Sequence, residues 1–123
     1  MIQPRRELLI DRVTSTTTSR GVGVDNAGRV SIHLIAAGVT TGIGTFTVDV
    51  SNNGGANWET YQRLIPNLTG TNSQTDAYVT TKVLNATGSS MIFIPPGDTF
   101  ELIRVGVATV AANGTYSAYL YLN

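Results

Sequence analysis

Along most of the chain, apolar and polar residues alternate with a period of two, and apolar residues never recur at three-and-four spacing over a useful window. Side chains of a strand point alternately to its two faces, so this pattern predicts half-buried β-strands and no helix. The clearest case runs from Thr45 to Val50: Phe46, Val48 and Val50 share one face, and Thr45, Thr47 and Asp49 share the other. Val30, Ile32 and Leu34 repeat it, with Ser31 and His33 opposite. Further strands are expected over Glu7–Val13, around Val22 and Val24, from Trp58 to about Ile65, over Ala77–Leu84 and over Met91–Ile94. Thr14 to Ser19 fits an edge strand or a loop equally well. The last two strands, Phe100–Val110 and Thr115–Leu122, flank Asn113-Gly114, a strong short-range signal for a hairpin between them.

Turn chemistry punctuates these segments. Asp25-Asn26-Ala27-Gly28, Ser51 to Asn57, and Pro95-Pro96-Gly97-Asp98 each supply residues that fix φ or tolerate positive φ. About eight strands with turns at intervals of roughly 8–12 residues predict one all-β domain. The expected form is a β-sandwich of jelly-roll or immunoglobulin-like type, with a small closed barrel as the alternative. A polar arm, residues 1–6, is expected to precede this domain, which would span 7–123.

Composition narrows the functional classes. The chain has 123 residues, enough for one real core. Charged residues are 13% of it, about half the usual share of roughly 25%, so the polar surface falls to Thr, Ser, Asn and Gly. Net charge is zero, which argues against a nucleic-acid binder, since phosphate contacts need a basic excess on one face. Seven of the eight basic residues are Arg, the bias of chains with buried protein contacts. There are no cysteines, and no apolar run reaches the ~18 residues that span a membrane. The first residues lack the apolar stretch of a secretory leader, so none is expected.

The chemistry of catalysis is sparse. His33 is the only histidine and lies on the polar side of its strand, with no partner implied by spacing. Glu7, Asp11, Asp25, Asp49, Glu59, Asp76, Asp98 and Glu101 are scattered singly, mostly at turns. Gly21-Val22-Gly23 lacks the third glycine and the helix of a dinucleotide fingerprint. The Asp25-Asn26 and Asn52-Asn53 turns could offer oxygens to calcium, but ordinary turn chemistry explains them. No enzyme activity, no cofactor and no metal is expected.

Ser51-Asn52-Asn53-Gly54-Gly55-Ala56-Asn57-Trp58 resembles the Asp-box hairpin of sialidases and other propeller proteins. Ser51, Gly55 and Trp58 match that motif, and Asn53 stands where the family has Asp. The resemblance implies a tight structural turn on which Trp58 packs back. A strand ending in Ser-Asn-Asn-Gly-Gly and resuming at Trp is also similar to small β-domains of phage virion proteins. So is the stretch from Phe93 through Pro95-Pro96-Gly97 to Arg104 and Val105. That resemblance implies a capsid decoration, neck or tail component of a virion, assembled in the host cytoplasm.

The candidate contact residues follow from strands that read as apolar on both faces. Tyr119 and Tyr121 oppose Tyr116, Ala118, Leu120 and Leu122, while Ile103 and Val105 oppose Phe100 and Leu102. Ile2, Arg5 and Arg6 of the arm are expected to reach a neighbouring subunit or capsid protein. The expectation is a homo-oligomer, a trimer, bound to a major capsid protein or another virion protein, without nucleic acid or membrane. The alternative is a carbohydrate- or receptor-binding module stacking ligands on Trp58 and Tyr61, although these two fall on opposite strand faces.

Overall fold

The computed structural model describes residues 4–25, 27–61, 81–84, 86–95 and 97–123. Ten strands follow in order: β1 (Arg5–Val13), β2 (Thr17–Thr18), β3 (Val22–Gly23), β4 (Val30–Ala37), β5 (Gly44–Ser51), β6 (Glu59–Thr60), β7 (Thr81–Leu84), β8 (Gly88–Ile94), β9 (Leu102–Thr109) and β10 (Thr115–Leu122). No helix occurs among the described residues. The expected strands from Trp58 to Ile65 and over Ala77–Leu84 lie partly outside the described residues.

The strands form two open antiparallel sheets, so the architecture is a β-sandwich and not a closed barrel. One sheet has the order β1-β10-β4-β8. The other has the order β2-β9-β5-β6, with β3 also on β9 and β7 also on β5. Alternation decides what each strand buries. Ile32, Leu34 and Ala36 of β4 and Tyr116, Ala118, Leu120 and Leu122 of β10 face inward from the first sheet. They meet Phe46 and Val48 of β5 and Ile103, Val105 and Val107 of β9 from the second. Burying each large apolar side chain of this set contributes about 1.5–3 kcal/mol.

Asn113-Gly114 does not close the hairpin its sequence suggests. β9 belongs to the second sheet and β10 to the first, so this turn carries the chain across the sandwich. Tyr116 fixes the crossing. Its ring is fully buried, meets Phe46 edge-on with centroids 5.9 Å apart, and its hydroxyl accepts the Ala111 N–H at 3.0 Å. Gly44 leaves the room this ring needs, because a Cβ there would stand 2.1 Å from Tyr116 Cε1.

The first strand starts earlier than the alternation suggests. Arg5 pairs with Leu122 and Arg6 with Tyr121, so both arginines belong to β1 and fold back on their own sheet. Lys82, the only lysine, stands opposite inward-facing Phe46 and is buried. Burial pushes its ammonium below its ordinary value of 10.5.

Gly44→Ala should overpack the Tyr116 ring and lower unfolding free energy by about 1–3 kcal/mol, read as a reduced urea midpoint at unchanged slope. Lys82 gives a pH signature. A depressed folded pKa makes the charged lysine a cost that fades as pH rises from the folded value toward 10.5. Stability of the wild type relative to Lys82→Met should therefore climb over that alkaline window and stay level below it, as measured by denaturation at stepped pH.

Candidate functional site

The two outer faces of the sandwich differ in kind. On the second sheet the outward residues of β5 and β9 are mostly polar or small, Thr45, Thr47, Asp49, Arg104 and Gly106, with Leu102 half-buried at one end. Two of them pair. Arg104 Nε donates to Asp49 Oδ2 at 3.1 Å while its guanidinium lies 4.3 Å from the Trp58 ring centre.

On the first sheet the outward side chains line up across four strands. One row runs Arg6, Tyr121, Ser31, Phe93, and the next runs Leu8, Tyr119, His33, Met91. Of the four exposed large hydrophobic residues among the described residues, Leu8 (43%), Met91 (38%) and Phe93 (73%) lie on this face. Leu8 stands on the β1 edge and Met91 and Phe93 on the β8 edge, with Tyr119, Tyr121, Ser31 and His33 between them. Exposed apolar residues gathered on one outer face mark it as a candidate interaction surface. The Arg6 guanidinium lies over the Tyr119 ring, 4.9 Å from its centre, a cation–π contact. At one end the face opens into a groove of about 690 Å³ bordered by Arg5, Arg29, Ser31, Phe93 and Tyr121.

This geometry sorts the residues singled out from the sequence. Tyr119, Tyr121 and Arg6 are brought together on the face, and Arg5 borders its groove. Arg5 is anchored at home, with Nε 3.3 Å from Glu7 Oε1 and an N–H donated to the Gly23 carbonyl at 3.2 Å. Ile103 and Val105 are corrected: both are fully buried and point into the core. On β9, Leu102, Arg104 and Gly106 face outward against Ile103, Val105 and Val107 inward, so the continuous apolar face is the inward one. Ile2 lies outside the described residues. Leu8, Met91 and Phe93 were not singled out, although the run Met91–Ile94, apolar at consecutive positions, carried the signal.

The turn after β5 is closed by its own side chains. Ser51 Oγ accepts the Gly55 N–H at 3.0 Å, and Asn53 Oδ1 accepts the Asn57 N–H at 3.0 Å. Gly54 and Gly55 take φ of +70° and +88°, which only glycine adopts freely. Trp58 then packs back against Gly55 and Gly21. Asn52 Oδ1 accepts the Glu101 N–H and Glu101 Oε1 accepts the Gly54 N–H, at 2.9 and 2.7 Å, so these oxygens brace the turn against the start of β9.

The remaining polar chemistry is likewise structural. Tyr61 is buried and donates to Asp98 Oδ2 at 2.8 Å, Arg20 pairs with Glu7 at 2.8 Å, and Asp11 pairs with Arg12 at 3.1 Å. His33 sits between Tyr119 and Met91 in the sheet. Among the described residues no three His, Cys, Asp or Glu side chains gather as metal ligands would. Comparison with protein-family models, curated proteins and solved structures yields no match.

Ser51→Ala should lower stability by about 1–3 kcal/mol, because it strips the acceptor from N–H groups held inside the turn. Denaturant unfolding reads the loss, and the fold's circular dichroism should be unchanged in the absence of denaturant.

Proposed function

We propose that this chain is a non-catalytic structural protein of a tailed-phage-type virion, a capsid decoration or accessory protein acting as a homo-oligomer. Its docking element is the outer face of the four-stranded sheet, applied to a major capsid protein or another virion protein. The observation that carries the docking role is the concentration of Leu8, Met91 and Phe93 beside Tyr119 and Tyr121 on one outer face. Tyrosine and arginine are enriched in protein contacts, and both are present in these rows. The virion context is supported by the resemblance of the Ser51–Trp58 turn and the Phe93–Val105 stretch. Attachment of this kind would stabilise a lattice by mass action, without chemistry.

The carbohydrate-binding alternative has less support at its expected residues. Tyr61 is 6% exposed and closed off by Phe100 and Asp98, and Trp58 already carries Arg104 on its ring.

The triple variant Leu8→Ser, Tyr119→Ser, Tyr121→Ser tests the docking role. It should remain folded by circular dichroism but bind particles at least about tenfold more weakly in co-sedimentation, a loss of roughly 1.4 kcal/mol. Unchanged attachment would remove this face from the proposal.

A further inference from the structure

A sheet edge presents unpaired N–H and C=O groups, and folded proteins usually blunt such edges with charge, bulges or short strands. Three of the edges here are blunted. β1 carries Arg5, Arg6, Glu7, Asp11 and Arg12, shifts register on both sides of Ile10, and turns Arg12 to a φ of +48°. On the second sheet, one outer edge is made of β2 and β3, two residues each. The other is made of β6, two residues, and β7, four residues including Lys82.

β8 is the exception. Its sequence, Gly-Ser-Ser-Met-Ile-Phe-Ile, is seven residues long, about 24 Å at ~3.4 Å per residue, with no charge, no proline and no register shift against β4. Among the described residues it is paired on one side only, by β4. It also carries Phe93 and Met91, two of the four exposed large apolar side chains among the described residues.

We propose that β8 pairs with β8 of a second copy, antiparallel across a two-fold axis, joining two four-stranded sheets into one of eight. This deepens, and rests on, the homo-oligomeric reading above. Self-pairing suits this strand for three reasons. An uncharged strand meets no like charge in its own copy. A register centred on Met91 sets Ser89 opposite Phe93 and Gly88 opposite Ile94, a small residue against each large one. Registers shifted by one residue are excluded, because they would set inward Ile92 and Ile94 opposite outward side chains. A copy's β1 is a poor partner, since its charges and bulges break the ladder. The product is a symmetric dimer whose docking faces merge into one continuous surface, where the sequence had led us to expect three-fold association.

The test uses the full chain. Light scattering after size exclusion should give twice the 13.0 kDa protomer mass. Met91→Lys and Met91→Glu should each be folded monomers, because position 91 is half-exposed within a protomer and faces its own copy only in the dimer. Mixing the two should restore the dimer. Met91→Cys, in a chain without cysteine, should oxidise to a covalent dimer, whereas Ser89→Cys, held opposite Phe93, should not. A wild type that stays monomeric at millimolar concentration, or a dimer untouched by Met91→Lys, overturns the proposal. Loss of particle attachment in Met91→Lys of a monomeric wild type would also overturn it, assigning the edge to a strand of another protein. A dimer that fails to bind particles keeps this inference and removes the virion role; particle binding by a wild-type monomer does the reverse.

Discussion

The sandwich depends on the seating of Tyr116. One side chain joins three parts of the molecule: the first sheet that carries it, Phe46 of the second sheet, and the connection whose Ala111 N–H its hydroxyl receives. The Tyr hydroxyl is a polar group inside an apolar layer, and it is tolerated because it satisfies a backbone donor that the crossing would otherwise bury unpaired. Gly44 is the other half of the same contact, since only a residue without Cβ admits the ring at that distance. Because β9 and β10 never pair with each other, this contact defines where the chain leaves one sheet and enters the next.

With the core spent between the sheets, the outer faces are free to differ. The second sheet closes its outer face with an ion pair, a stacked tryptophan and small hydroxyl residues, so it has little to gain from a partner. The first sheet sets Ser31 and His33 in the middle of its outer face and leaves Leu8, Met91 and Phe93 exposed toward its two edges. A chain with so few charges has little means of keeping such a face solitary. The same asymmetry governs the edges, where charge and irregularity collect on β1 and are missing from β8.

The role proposed above would reside in surface shape and not in reactive groups. Several of the acids are engaged in local work: Asp49 holds Arg104, Glu101 caps the tight turn, and Glu7 joins Arg5 and Arg20. The Glu101 and Glu7–Arg20 contacts tie loop segments to the sandwich and Asp49–Arg104 joins two paired strands, an order reached without disulfides. Rigidity matters for association because side chains already ordered lose less entropy on contact.

How much of this was legible in the sequence depended on the range of the interaction. Alternation along β4 and β5 fixed strand identity and inward residues, because the period of two is a property of neighbouring residues alone. The Ser51–Trp58 turn was equally readable, since its donors and acceptors lie within a few positions of one another. Tyr119 and Tyr121 were found by the same parity argument, whereas Ile103 and Val105 were misplaced because Phe100 and Leu102 made β9 look apolar on both sides. What the sequence left open was which strand lies beside which. Asn113-Gly114 has the chemistry of a hairpin, yet β10 pairs with β1 and β4 because the inter-sheet core, with Tyr116 at its centre, outweighs a local turn preference. For the same reason Leu8, Met91 and Phe93 come to share one outer face, and β8 becomes an edge among the described residues, only when strands distant in sequence are laid side by side. Exposure of an apolar residue is decided by its neighbours in space, and those are set by tertiary packing.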